Sequence, residues 1–478
     1  MKLQKVDDCT WRIPKEGRMN VDGIVFADDT LMSQISGDKS LEQVANVACL
    51  PGIVGPSMGM PDIHWGYGFP IGGVAGFDLD EGVISPGGVG YDINCGVRLL
   101  STNLHIGDVR DKVPAFISAL FRNVPSGVGV GRKDLRLSRV EAEKMTKRGA
   151  RWAVERGFGF VEDLEYMEEG GCLEGSDSEL VSDRAFQRGA TQLGTIGSGN
   201  HFVELGYVEE IYDAELAQRI GLLPGGLTII IHTGSRGFGY QICEDFLRTM
   251  QKAADKYGIY LPDRQLCCAP FKSEEGRNYL AAMKCGANFA FANRQIITHF
   301  VRDTIEQAWG LSPREHGVSV VYDVCHNIAK VETHPIDGQN RKVCVHRKGA
   351  TRAFPAGHPE VPEAYRDVGQ PVLVPGDMGR YSYVLVGSPA SPAFTFASCC
   401  HGAGRRLSRK AATKATANRN IFKELAEKGI TIAAASRATV DEEFPEAYKD
   451  VADVVDVVHR RGLAIKVARL KPVGGIKG

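Results

Sequence analysis

Residue types that bind divalent metals recur in this chain inside short glycine-framed segments that lie far apart. They are Gly90-Tyr91-Asp92-Ile93-Asn94-Cys95-Gly96, Gly197-Ser198-Gly199-Asn200-His201-Phe202-Val203-Glu204, Ile231-His232-Thr233-Gly234-Ser235-Arg236-Gly237, and His326-Asn327 after an apolar run. A further segment, Cys399-Cys400-His401-Gly402-Ala403-Gly404-Arg405, carries a lone histidine. Asp, Cys and His together suit a borderline cation such as Mn, Zn or Fe(II), rather than Mg or Ca in an all-oxygen cage. Any one of these histidines, taken alone, reads equally well as a satisfied core residue. Together they demand a fold in which distant segments converge, and the chain reads as a metalloenzyme.

Length pulls the other way. The chain has 478 residues, which by size alone suggests about three domains. Candidate site residues run from Asp62 to Lys477, and no Pro/Ser-rich or charge-run linker separates them. One unit spanning residues 1–478 is therefore the expectation. A composition of 43% hydrophobic and 24% charged residues supports a sizeable core. The start of the chain has no apolar signal region, and no stretch reaches the roughly 18 apolar residues of a membrane span. Twelve cysteines without a CxxC pair fit thiols in a reducing cytoplasm better than a disulfide framework.

A formal net charge of −1 argues against wholesale coating by nucleic acid. Two local basic clusters remain, Arg132 to Arg151 and Arg405 to Arg419; the first reads as a solvated helix face, while the second touches the His401 segment. The β-branched run Leu227 to Ile231 predicts a strand that delivers His232, and Val318 to Cys325 predicts another that delivers His326. Helices are expected over 240–257, 279–309 and 405–428, with a polar helical stretch over 108–168. The acidic piece Glu168 to Gly175 reads as a surface loop. Nothing supports regular βαβ alternation.

The spacing of Asp92 and Cys95 lets both face one ion, and a thiolate can bridge two cations of the kind that assist phosphoryl transfer. His401 is flanked by small residues that admit phosphate, with Arg405 and Arg406 beside it. A helix starting there would also point N–H groups at an anion. A neutral imidazole can act as a nucleophile. Asp62 and His64 read either as groups that orient ligands or as ordinary turn residues. The P-loop signature is absent, and so is the K-x-D-G arrangement of lysine-dependent nucleotidyl ligases.

Taken together, Met60 to Gly73, Gly90 to Arg98, Gly197 to Glu204, His232 to Gly237, His326-Asn327, Pro375 to Val386 and Cys400 to Arg409 resemble the RtcB family of RNA ligases over essentially the whole chain. The resemblance implies a single compact mixed α/β (α+β) fold, with a β-sandwich-like core, surrounding helices and a deep metal-containing cleft. It implies a ligase dependent on GTP and Mn(II) that joins RNA 2′,3′-cyclic phosphate or 3′-phosphate ends to 5′-hydroxyl ends. Asp92, Cys95 and His201 would hold one Mn(II), and Cys95, His232 and His326 the other, with His401 as the nucleophile that becomes guanylylated. Nucleotide contacts would come from Asn200, His201, Phe202, Val203, Glu204, His326, Asn327, Pro375, Gly376, Asp377, Met378, Ser382, His401, Gly402, Ala403, Gly404, Tyr448 and Lys477. Glu204 and Lys477 would read guanine, and Tyr448 would stack on or bound the base. Asp377 stands where some members carry Ser. RNA is the implied partner, archease a possible helper, and a cytoplasmic monomer the default. The competing readings are an end-healing metallophosphodiesterase and a metal-stabilised RNA-binding scaffold without catalysis.

Overall fold

A computed structural model describes residues 2–478. Two large sheets, both almost wholly antiparallel, organise them. In the first, seven strands run in the order Gln4–Asp7, Thr10–Ile13, Gly23–Phe26, Ile53–His64, Ile71–Asp78, Gln339–Lys348, Asn327–Ile336. In the second, the order is Ser319–Cys325, Gly96–His105, Gly226–Thr233, Phe202–Ile211, Ala464–Lys477, Ser382–Gly387, Pro371–Val374, with Thr431–Ala434 pairing parallel to Ala464–Lys477. One core cluster draws Met58, Val74 and Val345 from the first sheet and Val372, Val374 and Leu385 from the second. This is the expected mixed α/β fold with a sandwich-like core. Each large apolar side chain sealed there contributes roughly 1.5–3 kcal/mol.

The helix Val451–Arg461 completes that cluster and shows how burial overrides propensity. Its valines are poor helix formers. Val451, Val454, Val455 and Val458, however, repeat at the spacing of one helical face, and all are buried. Asp450 caps its start by accepting the Ala452 N–H at 2.9 Å, and Gly462 ends it with φ 72°.

The 36-residue helix Glu274–Trp309 is the longest element. Ser273 caps it, with Glu274 and Glu275 in the first turn where the helix dipole favours them. Arg294, near its middle, is fully buried and reaches the second sheet: it donates to the carbonyls of Asn94 (2.9 Å) and Thr233 (3.0 Å) and pairs with Asp323 at 2.7 Å. One guanidinium thereby ties the ends of three neighbouring strands.

Three expectations need correction. The single helix expected over 405–428 is two short ones, Arg409–Ala415 and Ile421–Glu427. The break falls where Thr416 turns its hydroxyl back onto the Ala412 carbonyl and where Asn420 caps the second helix. The stretch 108–168 is interrupted between Asn123 and Arg139, where Pro125, Gly127, Gly129 and Gly131 cluster. The acidic piece starting at Glu168 is not wholly on the surface. Glu168 is buried, accepting from the Cys325 N–H at 2.9 Å and from Lys330 at 2.8 Å, because buried cations there need a carboxylate. No helix among the described residues is long and apolar enough to cross a membrane.

Candidate functional site

Four adjacent strands of the second sheet all end at one edge. Their antiparallel order means that the C-terminal ends of Ser319–Cys325 and Gly226–Thr233 lie beside the N-terminal ends of Gly96–His105 and Phe202–Ile211. His326, Cys95, His232 and His201 are the residues at those four ends. Register therefore brings together side chains up to 231 positions apart in sequence, from Cys95 to His326.

The resulting contacts are tight. Cys95 Sγ lies 3.3 Å from Nε2 of both His201 and His232, and His232 Nε2 lies 3.4 Å from His326 Nε2. Asp92 Oδ2 stands 2.9 Å from His201 Nε2. His201 donates through Nδ1 to the Ile196 carbonyl at 3.1 Å, which leaves Nε2 as the lone-pair atom facing the cluster. Gly234 makes room: a Cβ there would sit 2.5 Å from Asp92 Oδ1. All five residues expected as metal ligands thus meet.

Their electrostatics fit a cation. Burial holds His232 and His326 well below the ordinary histidine range, so both imidazoles are neutral. Burial, reinforced by Asp92, holds the Cys95 thiol well above its ordinary value. A thiolate there calls for a compensating positive charge. Against its burial, Asp92 is kept below the usual carboxylate range by His201. A sulfur at the centre of imidazole nitrogens, with a carboxylate alongside, is a donor set for an N/S-preferring divalent ion.

His401 comes to the same place by another route. The short strand Ser398–Cys400 pairs with Ala350–Arg352 and sets the His401 ring 4.9 Å from that of His326. Asp62, fully buried, accepts the N–H groups of His401 (3.0 Å) and Gly402 (3.3 Å), and its Oδ2 is 2.5 Å from His401 Nδ1. Asp62 is thus an orienting group, not an ordinary turn residue. Gly404, at φ 72°, is a glycine by necessity, since a Cβ would run into the Asp62 carbonyl. The expected helix start at His401 is overturned, because the helix begins at Arg409 and these N–H groups are already committed to Asp62, with that of Ala403 bonded to the Pro375 carbonyl.

The cluster and His401 open into a cleft of about 410 Å³, a size suited to a small-molecule ligand. Asn200, Phe202, Val203, Glu204, Asn327, Pro375, Gly376, Asp377, Met378, Gly402, Ala403, Gly404, Tyr448 and Lys477 line it. Ser382 is not on its wall; its hydroxyl accepts the Gly376 N–H from behind at 3.2 Å. Asn327 spends its amide on the chain, accepting from Gly349 N–H and donating to the Asp92 carbonyl. At the far end, burial raises the Glu204 carboxyl to about 8 and lowers Lys477. These two form no ion pair with each other among the described residues, so both keep polar capacity for a ligand. Asp377 is turned away, 2.6 Å from Arg380. Tyr448 is half-buried, with its hydroxyl on Glu443.

Two cations of the site carried no signal in the sequence. Arg236 sits at φ 54°, left-handed for a non-glycine residue, without a carboxylate partner among the described residues. Lys348 is buried, donating to the carbonyls of Tyr67, Phe69 and Gly87, and burial lowers it to about 7.

The family model for the tRNA-splicing ligase RtcB matches residues 43–478. The tRNA-splicing ligase RtcB of Thermococcus kodakarensis is 55% identical over 477 residues, covering 100% of this chain and 99% of that protein. The protein of the same name from Archaeoglobus fulgidus is 52% identical over 478 residues, covering 100% and 99%. The RNA-splicing ligase RtcB of Mycobacterium tuberculosis is 51% identical over 438 residues, covering 91% of this chain and all of its own.

Proposed function

Because the chain belongs to the RtcB family of tRNA-splicing ligases, we propose that it is an RNA ligase. It seals RNA 3′-phosphate or 2′,3′-cyclic phosphate ends to 5′-hydroxyl ends at the expense of GTP. The observation that carries this reading is the buried Asp62–His401 contact beside the Cys95 cluster. A hydrolase that merely opens cyclic phosphates needs no such oriented imidazole, nor a second polar pair at the far end of the cleft.

Asp92, Cys95, His201, His232 and His326 are the residues that would hold two Mn(II) ions, with Cys95 shared. When bound, the ions supply Lewis-acid charge to phosphate oxygens. Asp62 fixes the tautomer of His401: with Nδ1–H directed at the carboxylate, Nε2 keeps its lone pair for attack. Nε2 attacks the α-phosphorus of GTP; the N–P bond forms, the α–β bridging P–O bond breaks, and pyrophosphate leaves. An oxygen of the RNA 3′-phosphate then takes the guanylyl group from His401, which regains its lone pair. Finally the 5′-hydroxyl oxygen attacks the RNA 3′-phosphorus, loses its proton and displaces GMP. A cyclic end is hydrolysed to the 3′-phosphate first. Glu204 and Lys477 hold the guanine edge, and a site built on such buried polar groups rejects bases that leave them unpaired. Asp377 acts through Arg380, not on the base.

RNA is the substrate, tRNA halves among the candidates, with archease the helper the resemblance implies. The whole chain works as one cytoplasmic, monomeric unit; its twelve free thiols accord with a reducing compartment.

The test is incubation with Mn(II) and α-32P-GTP, followed by a denaturing gel. Acid-labile, alkali-stable label on the wild type, absent from His401→Ala and weakened in Asp62→Asn, is the expected result. Label that persists in His401→Ala moves the nucleophile elsewhere. No label, with cyclic-phosphate opening intact, makes the protein an end-healing hydrolase.

A further inference from the structure

The wall of the cleft away from Glu204 and Lys477 has no part in the chemistry above, yet it is built from aromatic rings. Tyr67 and Tyr91 line it, edge to face at 5.5 Å. Tyr91 stacks on Tyr240 at 4.8 Å with 24° between planes, and Tyr240, 41% exposed, carries the Arg188 guanidinium 4.7 Å from its ring. Arg188 has Gln241 as a hydrogen-bond partner at 3.0 Å and no carboxylate within ion-pairing distance among the described residues. Trp65, two residues before Tyr67 and next to the cleft residue His64, is 61% exposed. A row of rings thus leads from the reaction centre to solvent, with a free cation at its outer end.

Sheet order decides what this row faces. Along the strand edge the sequence runs His326, Cys95, His232, His201, with Glu204 and Lys477 beyond His201. Lys348 stands at the opposite end, paired in register with Asn327 and donating to the Tyr67 carbonyl. The tyrosines therefore lie across the cluster from the base pocket. In phosphoryl transfer the entering and leaving oxygens are roughly in line. With GMP leaving toward Glu204 and Lys477, the entering 5′-hydroxyl has to arrive from the tyrosine side. Aromatic faces combined with unpaired guanidinium are what single-stranded nucleic acid binds without regard to sequence.

We propose that Trp65, Tyr67, Tyr91, Tyr240 and Arg188 form the subsite for the first nucleosides of the 5′-hydroxyl RNA strand. The inference rests on the ligase reading for the direction of attack, whereas strand binding itself is measured without ligation.

The experiment uses a 5′-hydroxyl hexaribonucleotide with 2-aminopurine as its first base, whose fluorescence falls when it stacks. Titration with the wild-type protein is expected to quench it. In Trp65→Ala and Tyr240→Ala the half-saturating protein concentration is expected to rise roughly tenfold, the loss of one base–aromatic stack. Trp65→Phe is expected to restore most of it. A 3′-phosphate hexamer with 2-aminopurine as its last base serves as the comparison and is expected to bind these variants like the wild type. Thermal unfolding shows that each variant is folded. Equal weakening of both strands, or no weakening of either, overturns the proposal. Quenching by the wild type without any ligated product upholds the subsite and counts against the ligase reading.

Discussion

Two buried charged clusters lie within this protein, and they are wired in opposite ways. Around Glu332 the charges face one another: Arg347 forks onto both carboxylate oxygens at 2.6 and 2.8 Å, and His334 adds a contact at 2.9 Å. Arg352 and Lys330 close the circuit through Glu168 and Glu169. Despite complete burial, Arg347 and its neighbours hold Glu332 far below the ordinary range. Around Cys95 the donors instead converge on one another, with no side-chain cation in an ion pair between them, and the buried Nδ1 atoms of His232 and His326 lack any hydrogen-bond partner. A closed network holds strands together, whereas lone pairs aimed at a common point cost stability unless something positive sits among them. Satisfaction, more than burial or charge count, tells scaffold from site.

The comparison can be broken, most sharply at Cys95. Cys95→Ala is expected to lower guanylylation on the order of 10⁴-fold or more, since it removes one member of a unit that acts jointly, while thermal unfolding shows the fold intact. Unfolding of that variant would make the cluster scaffold after all. Next comes Asp323, which pairs with both Arg98 and Arg294 in full burial. Asp323→Ala strands two guanidiniums and is expected to cost about 3–5 kcal/mol in urea unfolding. A loss below about 1 kcal/mol would erase the distinction between the clusters. Adding Mn(II) to chelator-treated protein is expected to raise stability by about 2.7 kcal/mol at a hundred times the dissociation constant, and Cys95→Ala should gain far less.

The smallest effect concerns His346, fully buried and accepting the Ser85 N–H through Nε2 at 3.1 Å. Burial lowers it to about 3 from an unfolded value near 6.5. Between those values the unfolded chain carries a proton that the folded chain refuses. Stability should therefore hold above about pH 6.5 and fall as pH drops through that window, by at most about 1.4 kcal/mol per pH unit from this group. Urea midpoints between pH 7 and 4 for wild type and His346→Gln measure it; parallel curves would assign the acid loss elsewhere.

Much of the site was legible in the sequence because its residues sit at strand ends. A β-branched run such as Leu227–Ile231 announces its strand, and the polar residue closing it stands out. His232 and His326 were readable for that reason, and the two long helices for their length. The helix break after Ala415 was not, since it depends on which way Thr416 and Asn420 turn their side chains. Glu168 was misread because an acidic, glycine-bearing stretch looks wet until Lys330 and Arg352, more than 160 residues away, are known to be buried beside it. Arg236 and Lys348 escaped for a related reason: what marks them is the lack of an anionic partner, a property of three-dimensional packing with no local pattern.

The shared strand edge has one more consequence. Since Cys95, His201, His232 and His326 all leave the sheet at the same side, the other side is released from the chemistry. The turn Gly221–Gly225, with Leu223 exposed, joins the strands about seven residues, roughly 23 Å, from His232. Lengthening a strand by one residue would throw its terminal side chain to the wrong face, but lengthening this turn moves nothing that reacts. The molecule is thus fixed at one pole and negotiable at the other, and lineage-specific extensions or an engineer's fused handle have their natural port of entry at the second.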